Sequence, residues 1–228
     1  MTRAIVLRAA GTNCDLETQY ALSLAGAEAD RVHINRLIER PAVLDEYQIL
    51  VIPGGFSYGD DIAAGKIFAN QIIHHLANVM HKFVTAEKLI LGICNGFQIL
   101  VKACLLPGPM GGNADEANSQ LVTLTNNDSG KFDDRWVYLK SESPQCVFIE
   151  PGQVIYLPIA HGEGKFMPID EATMKQIEGN GQVVFRYVGA DGDPADGYPE
   201  NPNGSVRDVA GICDLSGRVL GLMPHPER

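Results

Sequence analysis

Unbroken apolar runs of strand length recur in the first half of the chain: AIVLR from Ala4, QILVIP from Gln48 and KLILGIC from Lys88. A strand with one face in water alternates apolar and polar residues, so a continuous run predicts a strand covered on both faces, as in a parallel sheet. Between these runs the period changes. In KIFANQIIHHLANVMHKF, the residues Phe68, Ile72, Leu76, Val79 and Phe83 recur at intervals of three and four and line one face of a helix. His74, His75 and His81 fall mostly off that stripe and are expected in solvent. Strand and helix alternate through residue 106, which predicts an α/β fold with an open, doubly wound, mainly parallel sheet and helices on both faces.

Ligands of such sheets collect beyond the carboxyl ends of the strands. Each predicted end carries small or polar residues: AAGTNCD after the first strand, PGGFSYGDD after the third and CNGFQ after the fourth. After Pro107 the pattern shifts to short β-rich runs (LVTLT, RWVYL, CVFIE, VIYLPIA, QVVFRYV, VAGIC, RVLGLM) separated by Gly, Asn, Asp and Pro. The segment GADGDPADGYPENPNGS is too rich in Gly, Pro and Asp for regular structure and reads as a functional loop. At 228 residues and 45% hydrophobic content, the chain fits one domain spanning 1–228.

Charge and cysteine usage narrow the function classes. A net charge of -10, with 18 Lys and Arg scattered along the chain, speaks against nucleic acid as a partner. The five cysteines include no C-x-x-C pair, so neither a disulfide framework nor a zinc ribbon is predicted, and a reducing cytoplasm fits. The segment MTRAIVLRAAGTNC lacks a secretory layout, and no apolar run approaches the roughly 20 residues that span a bilayer. A cytoplasmic, unprocessed chain with no membrane partner is the expectation.

The stretch LGICNGFQ places one thiol where a strand stops and a helix begins. Gly92 and Gly96 keep side chains out of the crowded turn, the logic of a nucleophile elbow, and the helix N-terminus is expected to favour the thiolate of Cys94. Core filling is the commoner fate of a single cysteine, and Cys104, Cys146 and Cys213 are assigned to it. A nucleophile also requires a base held by a third group. In HPER, His225 and Glu227 are two apart and face one side of an extended segment, so His225 can take the thiol proton while Glu227 orients the ring, although a solvated segment is the plain alternative. An oxyanion hole is expected from the backbone N–H of Asn95 and of Gly55 or Phe56 in PGGF. A Gly-Gly backbone can face either way, so that hole is expected to await a partner.

These residues resemble the class I glutamine amidotransferases, whose Cys lies in G-x-C-x-G-x-Q and whose His-x-Glu lies late in the chain. Gly92 to Gln98 and His225-Pro226-Glu227 match both patterns. The motifs PGGFSYGDD, LGICNGFQIL, SGKFDDRWVYL, PIAHGEGKF, NPNGS and GLMPHPER are similar to those of the glutaminase subunits that serve purine biosynthesis. The resemblance implies a flavodoxin-like amidotransferase fold and hydrolysis of L-glutamine through a γ-glutamyl thioester on Cys94. Ammonia would pass to an ATP-using synthetase subunit that aminates formylglycinamide ribonucleotide, in a complex with a third, small protein. It implies no cofactor and no metal, a substrate-binding role for Gln98, and a site wall or partner contact at His161. Two departures stand out. The family continues beyond HPER, so Glu227 is expected to be less firmly held than usual, and Asp134 stands where the family has Cys. The alternatives are a stand-alone cysteine hydrolase of another γ-glutamyl or small amide, and a non-catalytic scaffold of the same fold.

Other signals resolve without new chemistry. GDDIAAGKI lacks P-loop spacing and has Ile67 where magnesium needs Ser or Thr. Asp60 and Asp61 are expected to cap a helix. Cys14 is expected to be structural near the site, and the Asn127 and Asn203 sequons have no meaning in the cytoplasm.

Overall fold

The computed structural model describes residues 1–60, 62–109 and 120–228. Its strands are β1 (Arg3–Arg8), β2 (Glu28–His33), β3 (Ile49–Ile52), β4 (Leu89–Ile93), β5 (Val122–Thr125), β6 (Asp133–Ser141), β7 (Val154–His161), β8 (Lys165–Pro168), β9 (Val183–Val188), β10 (Val209–Cys213) and β11 (Val219–Leu222). The helices are α1 (Asp15–Leu24), α2 (Ile34–Glu39), α3 (Lys66–Gln71), α4 (Ala77–Thr85), α5 (Asn95–Lys102) and α6 (Glu171–Gly179). Nine strands form one sheet in the order β2-β1-β3-β4-β11-β10-β9-β6-β7, while β5 and β8 pair separately. From β2 to β11 the neighbours run parallel, and β10, β9, β6 and β7 continue the sheet antiparallel.

The three apolar runs are β1, β3 and β4, and their interiors are buried as a two-sided cover requires. β11 arrives from the far end of the sequence and lies beside β4 with Gly221 opposite Gly92 and Leu222 opposite Ile93. The two strands therefore end level, and the turn leaving β4 meets the segment leaving β11. That register is the topological reason that Cys94 and His225 lie close together.

Helix α5 sits directly on this junction. A Cβ on Gly96 would stand 1.9 Å from the Ile52 carbonyl oxygen, so only glycine lets α5 approach the end of β3 so closely. The long predicted helix exists as α3 and α4 joined by a π turn over Ile72–Leu76. Phe68, Ile72, Leu76 and Phe83 face the core, but Met80 takes the place expected for Val79, which is half-buried. His74, His75 and His81 are exposed.

Two readings of the second half need correction. CVFIE over residues 146–150 is turn, because its polar groups bond out of register: Cys146 N–H to Ser143 Oγ (3.1 Å) and Val147 N–H to Gly217 O (3.1 Å). Helix α6 was hidden among short β-like runs; Asp170 caps it by accepting from Thr173 N–H at 2.7 Å, and Met174 and Ile177 are buried on its inner face. The Gly- and Pro-rich segment 189–205 is irregular as expected. Cys146 and Cys213 are buried, whereas Cys104 is only half-buried.

Candidate active site

Cys94 occupies the turn between β4 and α5 with φ 51° and ψ -107°, a left-handed conformation that costs a non-glycine residue about 1–3 kcal/mol. Two bonds enforce it: Cys94 N–H donates to Leu222 O (2.8 Å), and Cys94 O accepts from Gln98 N–H (3.1 Å). The side chain is 6% exposed and opens on a cavity of about 230 Å3 whose lining includes Gly55, Phe56, Asp60, Gln98, His161 and Glu163. The sulfur is thus neither sealed in the core nor free in solvent.

His225 stands nearby, 2% exposed, with Nδ1 2.6 Å from Glu227 Oε1. Its backbone N–H donates to Pro158 O at 2.9 Å, which ties the segment after β11 to β7. The Glu227 side chain is 2% exposed and bonded to the imidazole through Oε1, while Oε2 is buried without a hydrogen-bond partner. Gly54 lets the groups converge, since a Cβ there would lie 2.7 Å from His225 Cε1, 3.3 Å from Cys14 Sγ and 3.5 Å from Cys94 Cβ. His225 Nε2 has no hydrogen-bond partner, and the Cys94 thiol points to Ala160 O at 3.7 Å. The Cys94 thiol and the imidazole of His225 are thus close together without a hydrogen bond between them.

Electrostatics at the sulfur run against the thiolate expected from sequence. Burial pushes the Cys94 thiol up to about 12; the Cys14 sulfur adds to the rise, and the Asn95 N–H offsets only part of it. Cys94 is therefore a thiol at neutral pH. His161 is pushed the other way, down to about 4, by burial and then by the nearby His225. It is neutral at physiological pH.

The remaining expected residues divide. Gln98 lies on the cavity wall, donates from Nε2 to Glu163 O (2.5 Å) and accepts from Asn95 Nδ2 (3.0 Å). Asn95 begins α5, and its side chain also accepts from Ser57 N–H at 3.2 Å. Gly55 lines the cavity, but the Phe56 N–H donates to Gly11 O at 3.0 Å and is not directed at the site. Asp60 accepts from Gly65 N–H (3.1 Å) just before α3 and from Asn95 Nδ2 (3.2 Å) but caps no N–H within that helix; Asp61 lies outside the described residues.

Cys14 is buried at the start of α1, and its sulfur accepts from Arg228 at 3.1 Å. Donor atoms of Cys14, His225 and Glu227 lie within 4.8 Å of one another. Arg228 and the His225–Glu227 bond already engage all three residues. Sequence reasoning missed Gly54, Phe132, Ala160 and Glu163. The PGGF and PIAHGEGKF motifs contain three of these, but nothing in a motif tells which of its members face inward.

The chain matches the CobB/CobQ-like glutamine amidotransferase domain over residues 1–228. It belongs to that family. The phosphoribosylformylglycinamidine synthase subunit PurQ of Dehalococcoides mccartyi is 47% identical over 227 residues, covering 99% of this chain and 85% of that one. The same subunit of a Methanococcus maripaludis strain is 44% identical, covering 99% and 82%. A chain in the solved structure of PurLQS from Thermotoga maritima superposes with TM-score 0.74 at 36% identity, covering all of this chain and 88% of its own length. A second glutamine amidotransferase of that organism, at 18% identity and TM-score 0.56, shares the fold. Among the described residues, no helix is long and apolar enough to cross a membrane.

Proposed function

We propose that the chain is the glutaminase subunit of a phosphoribosylformylglycinamidine synthase, releasing ammonia from L-glutamine in de novo purine biosynthesis. The observation that carries this reading is the strained Cys94 elbow opening on a cavity beside a buried His225–Glu227 pair. The full-length relatives named for that synthase supply the reaction. Cys94 gives its proton to His225 Nε2 as the sulfur attacks the γ-carbonyl carbon, and Glu227 stabilises the imidazolium. The tetrahedral intermediate collapses as His225 protonates the leaving nitrogen, which departs as ammonia. Water, deprotonated by the same imidazole, then hydrolyses the γ-glutamyl thioester to glutamate. Gln98 helps hold the substrate, no cofactor takes part, and the setting is the cytoplasm.

Ammonia passes to an ATP-using synthetase subunit, with a third small subunit completing the complex. Partner docking has a defined task in this scheme. Asn95 N–H already faces the sulfur, but a second oxyanion donor requires the Phe56 amide to leave Gly11 O. One such donor is worth about 10²–10³ in kcat, so the free chain should turn over glutamine that much more slowly than the complex. Glutamate release, measured with the chain alone and then with synthetase and its substrates, tests the reading. Fast turnover without any partner points instead to a stand-alone amidase. In the complex, Cys94→Ser should remove nearly all activity while the thermal melt is kept, and a glutamine-analogue electrophile should label Cys94. Labelling confined to Cys14 or Cys213 overturns the assignment.

A further inference from the structure

The cysteine elbow has a second thiol beside it, which the proposed chemistry leaves unused. One donor atom each from Cys14, His225 and Glu227 lies within 4.8 Å of the other two. Thiolate, imidazole and carboxylate are zinc ligands, bonded at about 2.0–2.3 Å, so around a tetrahedral ion such donors stand about 3.5 Å apart. The group is thus already gathered to within about an ångström of a coordination shell. Gly54 keeps side-chain atoms out of it: a Cβ there would stand 2.7 Å from His225 Cε1 and 3.3 Å from Cys14 Sγ.

Two features independent of that spacing point to a cation. Glu227 Oε2 is buried without a hydrogen-bond partner among the described residues, on a side chain 2% exposed. A carboxylate oxygen only accepts, so its lone pairs call for a donor or a metal. The Cys14 sulfur, in turn, is already met by a positive charge, the Arg228 guanidinium at 3.1 Å. Arg228 is exposed, so the charge that reaches this buried sulfur comes in from the surface, and an ion that takes its place has the same way in. We infer that Cys14, His225 and Glu227 bind a thiophilic divalent cation of the zinc type, which displaces Arg228 and silences the base. Binding releases one proton, from the Cys14 thiol, and involves no redox step. An ion on His225 Nε2 takes the lone pair that would accept the Cys94 proton. An ion on Nδ1 replaces the bond to Glu227 and leaves the ring proton on Nε2. Either way the Cys94 thiol loses its base; that loss of activity, though not the binding, rests on the glutaminase reading above.

The test titrates the full chain with Zn²⁺ by calorimetry and assays glutamate release by the complex reconstituted with its synthetase, with and without the ion. Wild type should bind Zn²⁺ and lose glutaminase activity, with recovery on adding EDTA. Cys14→Ser should keep its turnover without zinc, bind the ion at least about 10-fold more weakly, and tolerate zinc concentrations that inhibit wild type. No binding to wild type, or equal binding and inhibition in the two chains, would overturn the inference. Should Cys14→Ser fail to fold, Arg228→Ala decides. Removal of the competing guanidinium should tighten zinc binding about 2- to 5-fold, and unchanged or weaker binding would overturn the site. A wild-type complex with no glutaminase activity before zinc is added would instead sink the glutaminase reading, and the calorimetric titrations would still decide the binding.

Discussion

At Cys94 two local effects compete. The helix α5 N-terminus and the Asn95 N–H favour a sulfur anion, while removal from water opposes it, and burial wins by pushing the thiol up to about 12. The residue type and its flanking glycines were readable from the chain, but burial is a property of the assembled site. Alkylation of Cys94 by iodoacetamide in the free chain should therefore quicken about tenfold per pH unit from 7 to 10. A plateau already reached near pH 7 would show a stabilised thiolate.

His161 offers a second test at this scale. Its folded pKa of about 4 lies below the unfolded value near 6.5, so the unfolded chain binds more protons between the two. The associated stability is fully present above about 6.5 and is lost as pH falls to about 4, in total about 3 kcal/mol. Urea titrations across that window should show this loss in wild type and a flatter profile in His161→Gln. The burial behind this behaviour was not legible in PIAHGEGKF, because the ring packs 3.2 Å from Asn127, 34 residues away, which reads in sequence as an idle glycosylation site.

Among the elements, β1, β3 and β4 were legible because each is covered on both faces and shows it as an unbroken apolar run, whereas the edge strand β2, EADRVH, has none. The π turn and α6 were not. A single wide turn leaves the residue spacing plausible for an ordinary helix, and α6 is short, with only one face buried between β-like neighbours. Glycine spacing around Cys94 was legible, but its physical basis is packing between elements rather than the turn alone. Because a Gly96 Cβ would overlap the Ile52 carbonyl, Gly96→Ala must push α5 off the end of β3. Chemical denaturation should show a loss of about 2–4 kcal/mol, against about 1 kcal/mol gained from helix propensity if the contact were slack. Activity should fall further than stability, since the same shift moves Cys94 away from His225.

For the whole molecule, the decisive feature is that β11, the strand leading to His225, comes late in sequence and sits centrally in the sheet. β11 is hydrogen-bonded on one side to β4 and on the other to β10, joining the parallel half of the sheet to the antiparallel half. Sequence patterning marked RVLGLM as a strand but held no information about its neighbours. Its role in folding and its role in the site should therefore separate on truncation. A chain ending after Pro224 keeps β11 and loses only the segment with His225 and Glu227; it should fold with a cooperative melt and show no glutaminase activity in the complex. A chain ending before Val219 leaves β4 and β10 as unpaired edges in the middle of the sheet and removes the buried Val219, Leu220 and Leu222. That chain should aggregate or lack a cooperative transition. If it folded as well as the longer one, the two halves of the sheet would have to be stable apart, and β11 would be an accessory to the fold rather than its joint.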